Sequence, residues 1–180
     1  ESIFTLSNQR MGCRGNFEEG YSADSLEGSY FAGLYESNPL NHPWGGGPDF
    51  PNSEDFIVNA MRWIGLVPIL DGERLDMANS KYTNYRRSLD MGNGRLSREL
   101  IWTDSQGREV KLCFERFMSM VDQHICCVRL TAEALNFSGK LKIKADLDSS
   151  VLHERIGNKC YWKGMESKAE GNIALLHSIT

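Results

Sequence analysis

The chain has no apolar run near the roughly 18 residues that a membrane-spanning helix requires. It also lacks an excess of positive charge. Its 20 Lys and Arg stand against 24 Asp and Glu, a net charge of −4, which leaves no electrostatic footprint for nucleic acid or an anionic membrane. The cysteines, Cys13, Cys113, Cys126, Cys127 and Cys160, are odd in number and form neither a C-x-x-C pair nor a zinc spacing. Free thiols in a reducing cytosol are the expectation, and the opening residues Glu1 to Phe4 carry no basic region or cleavage signature. His42, His124, His153 and His177 show no i, i+4 or H-x-H spacing, so no metal site is expected. A phosphate loop, a dinucleotide fingerprint and a G-x-S-x-G elbow are missing too, and no cofactor is implied. Without repeats, charge blocks or low-complexity tracts, the 180 residues fit one cytoplasmic domain, 1–180.

What the sequence does have is a period of two. Val110, Leu112 and Phe114 alternate with Lys111, Cys113 and Glu115. Cys126, Val128, Leu130 and Ala132 alternate with Cys127, Arg129, Thr131 and Glu133, and Leu141, Ile143, Ala145 and Leu147 with Lys140, Lys142, Lys144 and Asp146. Such alternation marks antiparallel strands with one face in a core. Asp71-Gly72, Asn93-Gly94, Asp104 to Gly107 and Asn136 to Gly139 supply hairpin turns between strands. Neighbours Cys126 and Cys127 should point to opposite faces and stay unbonded. The sequon at Asn136 is read as a turn. Helical periodicity is poor, and only Asp55 to Ile64 is read as a turn of helix or irregular structure. The pattern predicts an all-β sandwich or barrel.

Asn38 to Pro51 breaks that pattern with four prolines and three glycines, which predicts a long loop. Sugar faces stack on aromatic rings while planar polar groups bond their hydroxyls. Trp44, with His42 and Asn41 beside it, is the candidate carbohydrate contact. The favoured reading of Trp44 is nevertheless an apolar peg that anchors the loop, and the loop is also readable as packing on another domain or subunit.

Glycosidic cleavage needs one carboxylic acid for the leaving oxygen and a second carboxylate across the ring. Glu18, Glu19, Asp24, Asp90, Glu115, Asp146 and Asp148 are available, but each is read as a turn or solvated residue, and no catalytic residue is assigned. Arg86, Arg87, Arg95 and Arg98 cluster around Asn93-Gly94. With Asp90 and Glu99 near in sequence and no Gly-rich loop opening a helix, they predict surface or interdomain ion pairs rather than a phosphate site. The glycines of the opening segment read as shaping the fold.

Four motifs are more particular than any of this. Asn8 to Gly15 runs into Asn16 to Tyr35, with Phe17 to Gly20 as an F-E-E-G turn and Tyr30 to Tyr35 as a strand end. Trp63 to Asp76, Tyr85 to Arg98 and Glu115 to His124 follow in order. Over roughly residues 5–150 they resemble the N-terminal domain of glycoside hydrolase family 65, the maltose, trehalose and kojibiose phosphorylases and related hydrolases. Gln9 and Arg10 depart from that family's usual glycine spacing.

The resemblance implies a large two-sheet antiparallel β-sandwich, here a truncated piece without its first and last strands. It implies a parent enzyme whose catalytic (α/α)6 barrel lies beyond this segment. The parent would cleave α-linked glucosyl disaccharides with inorganic phosphate, inverting to β-glucose 1-phosphate, and it would commonly dimerise. The segment itself is expected to be inactive and to support the barrel and its sugar site. The competing readings are a free-standing carbohydrate-binding module or lectin, and an epimerase-like site built on His124 with Glu115.

Overall fold

Strands β8 (Lys81–Asp90), β9 (Arg95–Thr103), β10 (Glu109–Met118) and β11 (Cys126–Ala134) form an antiparallel meander, ordered β11-β10-β9-β8. The structure is a computed structural model that describes residues 1–40, 49–153 and 158–180. Alternation decides which face of the meander is inward. Val110, Leu112 and Phe114 on β10 lie opposite Trp102, Leu100 and Arg98 on β9, and every one of them is buried. Chain turns hold the meander together. Asp90 accepts the N–H groups of Gly92 and Asn93 after β8, and Asp104 accepts those of Gln106 and Arg108 after β9. These turns are the hairpins the sequence predicts.

The second layer is β12-β6-β7: β6 (Arg62–Leu70) turns through Asp71 and Gly72 into β7 (Glu73–Arg74), and β12 (Lys142–Asp148) pairs along the other edge of β6. Both turn residues have positive φ, 45° and 90°, the twist a two-residue hairpin needs. Leu70, Leu75 and Met77 from this layer pack on Leu100, Trp102, Val110, Leu112 and Phe114 of the meander. Each such side chain contributes roughly 1.5–3 kcal/mol by burial. A smaller core joins Leu6 and Cys13 to Ile64, Leu96 and Met118. It rests under the three-stranded sheet of β1 (Leu6–Ser7), β2 (Met11–Cys13) and β3 (Ser29–Phe31), which follows a 3₁₀ turn at Ser2–Phe4. Two hairpins complete the fold: β4 (Tyr35–Pro39) with β5 (Ser53–Ile57), and β13 (Lys163–Glu170) with β14 (Ile173–Ile179). The architecture is an all-β antiparallel sandwich.

Four expectations need correction. Asn136 to Gly139 is no hairpin, because β11 pairs with β10 while β12 crosses to β6 in the other sheet. The Asn136 side chain instead accepts from the Glu109 N–H and donates to the Gly107 carbonyl, both at 3.0 Å or less. The stretch from Asp55 to Ile64 has no turn of helix: it contains the end of β5 and the start of β6, as its β-branched and aromatic content favours, and is irregular only at 58–61. Asn38 and Pro39 belong to β4, where proline closes an edge strand that needs no further donor. Finally, the apolar face of β12 is not sunk in the core: Ile143 is 40% and Leu147 43% exposed.

Candidate functional site

The densest charged cluster lies inside the sandwich. Arg98 occupies an inward position of β9, between Leu96 and Leu100, where a guanidinium survives only with buried partners. Its partners come from the turn at Phe17 to Gly20, held by the Gly20 N–H to the Phe17 carbonyl at 3.2 Å and the Leu66 N–H to the Glu18 carbonyl at 3.0 Å. Arg98 Nη1 donates to Glu19 Oε1 at 2.8 Å and Nη2 to Glu18 Oε2 at 2.8 Å, with a further bond from Nη2 to Glu19 Oε2. Arg116, on the inward face of β10, places Nη1 3.6 Å from Glu18 and donates from Nη2 to the Arg14 carbonyl at 3.0 Å. The Arg98 guanidinium lies 4.7 Å from the Phe17 ring centre and 4.2 Å from that of Phe114. The turn is thereby riveted to both central strands.

Electrostatics separate the two carboxylates. Burial pushes both up, but for Glu18 the charges of Arg98 and Arg116 outweigh it and hold the group below its ordinary value. For Glu19 burial prevails over Arg98 and raises the group. A raised buried carboxyl is a common feature of general acids, yet a general acid must reach a ligand. Glu18 is 2% and Glu19 1% exposed, so neither carboxyl is open to a ligand in this arrangement. The expectation that they are solvated turn residues is corrected as well: they are sealed in the core.

Asp90, Glu115, Asp146 and Asp148 are engaged elsewhere, Asp90 with its own turn. Asp146 and Asp148 face Arg62 at 3.3 and 4.0 Å, and Lys144 lies 2.8 Å from Asp146. Glu115 lies between Arg95 and Arg129. His124 is exposed at the turn after β10 with its Nδ1 3.4 Å from Asp122, so His124 and Glu115 engage different partners and do not meet. Of the arginines grouped in the sequence, Arg95 makes a surface pair, Arg98 is buried, and Arg87 donates to the Gly15 carbonyl at 2.6 Å under the Phe4 and Phe17 rings. A charged residue in the Leu96-x-Arg98-x-Leu100 alternation was the available signal for the buried cluster. Among the described residues, no group of three or more His, Cys, Asp or Glu side chains is placed to hold a metal ion.

Asn41, His42 and Trp44, the candidate carbohydrate contacts, lie outside the described residues. The strands flanking them are described. Tyr35 to Pro39 pair with Ser53 to Ile57, and the Leu40 N–H reaches the Asn52 carbonyl at 2.9 Å, which makes an arm of β4 and β5. All five cysteines are free. Burial raises Cys13 and pushes Cys126 up to about 11, which keeps both thiols protonated.

Comparison with known proteins agrees with this architecture. Residues 1–180 match the family described as glycosyl hydrolase family 65, N-terminal domain, including the last thirty residues, where no motif was legible. The chain is 33% identical to maltose phosphorylase of Bacillus subtilis over 156 residues, 86% of this chain and 20% of that protein. It is 32% identical to α,α-trehalose phosphorylase of Thermoanaerobacter brockii, over 84% of this chain and 20% of that one. A solved chain from the human microbiome, proposed to be a kojibiose phosphorylase, superposes with a TM-score of 0.84 at 29% identity, covering 96% of this chain and 22% of that one. The chain thus spans about a fifth of the length of these relatives. From its first strand to its last hairpin, it belongs to glycosyl hydrolase family 65 as an N-terminal domain of that family.

Proposed function

We propose that the chain is the non-catalytic N-terminal sandwich of a larger cytoplasmic glycoside phosphorylase or hydrolase acting on α-linked glucosyl disaccharides. The observation that carries this reading is the sealing of Glu18 and Glu19 by Arg98 in a chain that matches a fifth of its phosphorylase relatives. In the parent, a carboxylic acid protonates the leaving glycosidic oxygen. Phosphate attacks the anomeric carbon from the opposite face, and β-glucose 1-phosphate leaves with inverted configuration.

The domain's part is to support the catalytic barrel and the side of the sugar site nearest it. Exposed Ile143, Leu147, Ile173 and Leu175 favour a further partner surface in the parent or its dimer. Free thiols suit a reducing compartment. The test compares this chain with the parent polypeptide for glucose 1-phosphate release from maltose, trehalose and kojibiose. Phosphate-dependent release by the parent alone is expected; turnover by the isolated chain would refute the reading.

A further inference from the structure

At the base of the β4–β5 arm lies a groove of about 320 Å³, lined among others by Tyr30, Glu54, Phe56, Asn59 and His153. We infer that this groove binds a neutral, hydroxyl-rich sugar ring.

The floor is built rather than incidental. Asn59 is buried and fully used: its Oδ1 accepts the Ser29 N–H at 2.9 Å, and its Nδ2 donates to the carbonyls of Glu27 and Leu152 at 3.2 and 3.0 Å. Its own N–H points at His153 Nδ1 at 3.3 Å, and its carbonyl accepts the Trp162 indole N–H at 2.8 Å. Three segments distant in sequence are tied to that one residue, so the walls keep their spacing without a ligand. Such preorganisation lowers the ordering cost of binding.

The walls combine two chemistries. Tyr30 and Phe56 supply aromatic surface, and Phe56 packs against His153 at 4.9 Å and Tyr161 at 5.5 Å between ring centres. Glu27, Glu54 and Asp55 supply carboxylates. Asp55 already accepts the Ser37 hydroxyl, whereas the Glu54 carboxylate has no hydrogen-bond or ion-pair partner among the described residues. Glu54 and Phe56 are two apart on β5 and share a face, with Asn38 and Glu36 opposite them in register on β4.

An aromatic plane beside an acceptor-only carboxylate matches the alternating C–H and O–H faces of a pyranose. Among the described residues no lysine or arginine lines the groove, which disfavours phosphate or another anion. The volume falls in the range of small-ligand sites. The choice of α-glucosides as probes rests on the proposed function; the groove's chemistry does not.

The test is calorimetric titration of the chain with maltose, kojibiose and trehalose, with inorganic phosphate and ethanolamine alongside, backed by amide shift mapping. Saturable saccharide binding is expected, with shifts at Tyr30 and Phe56 and no binding of phosphate. Glu54→Gln, an exposed substitution that spares the fold, should weaken it about tenfold by removing a charge-assisted hydrogen bond. Phe56→Leu should weaken it further, and Trp44→Ala should leave it unchanged. Three results would overturn the inference: no saccharide binding, binding indifferent to Glu54→Gln, or binding lost only in Trp44→Ala. Ethanolamine binding in preference to the sugars would overturn it as well, since the groove would then select cations. Loss of saccharide binding here leaves the parent's phosphorolysis untouched, so the two readings fail separately.

Discussion

Arg98 and Glu19 meet through two hydrogen bonds in the interior of the sandwich although 79 residues separate them. The fork of the guanidinium spans both Glu19 and its neighbour Glu18, a geometry an ammonium cannot reproduce. Removing it strands the Glu19 carboxylate in the core and leaves Glu18 with Arg116 alone. We expect Arg98→Met to cost about 3–5 kcal/mol, as breaking a buried pair does, and Arg98→Lys to recover only part of that loss. Urea denaturation followed by tryptophan fluorescence reads the difference; a midpoint equal to that of the unmodified chain would contradict it.

Gly65 of β6 lies directly opposite Asp146 of β12 in the antiparallel ladder. A Cβ there would fall 1.7 Å from Asp146 Oδ1 and 2.8 Å from the Asp146 carbonyl oxygen. The side chain can rotate, but the backbone oxygen cannot without loosening the pairing. Gly65→Ala should therefore destabilise by about 1–3 kcal/mol. Hydrogen exchange should quicken at the β12 amides while the β9–β10 amides hold their protection.

Acid should weaken the joint between the opening segment and the turn after β7. Burial raises the Asp76 carboxyl, but bonds from the Ser22 hydroxyl, the Asn79 amide and the Ala78 N–H outweigh it and hold the group at about 2. Its ordinary value is 3.8. A depressed carboxylate stabilises the fold above its unfolded pKa and loses that contribution as pH falls through the folded one. The window is therefore pH 4 down to 2. We expect about 1–2 kcal/mol to be lost across it, after allowing for solvent screening. Comparing urea midpoints of the chain and of Asp76→Asn across that window isolates the effect; equal slopes would refute it.

The outward face of β14 carries Ile173, Leu175 and Ile179, all more than half exposed. Apolar side chains on a two-stranded ribbon invite association between copies. Leu175→Lys should reduce self-association and hydrophobic-dye binding of the isolated chain while leaving its unfolding midpoint within about 0.5 kcal/mol. Sedimentation velocity over a concentration series provides the measurement.

How far the sequence discloses this molecule depends on how local each feature is. The β10 strand is legible because both flanking strands of its sheet are chain neighbours and its inward face is continuous from Val110 to Phe114. Its turns are legible because Asp90, Asp104, Gly94 and Gly107 act on their own backbone. Family motifs carry the rest of the fold, since the crossover of β12 to β6 has no local signal. The interior charges escape for the same reason: a Glu-Glu turn looks solvated until the inward register of Arg98 is noticed. Alternation in β12 was read correctly as a strand and wrongly as a burial pattern, because periodicity reports a face and not what covers it. The groove at the arm's base depends on Asn59 meeting Glu27, Leu152 and Trp162, contacts that no spacing rule anticipates.

The pairing of Ile69 with Lys142 has a consequence during biosynthesis. About seventy residues must be polymerised after β6 leaves the ribosome before its partner is available. At roughly 5–20 residues per second this leaves several seconds. Throughout that interval the nascent chain presents a bare ladder of amide groups beside Val67 and Leu66. Chaperone occupancy on ribosomes stalled between β11 and β12 should accordingly be higher than on those stalled after Asp148.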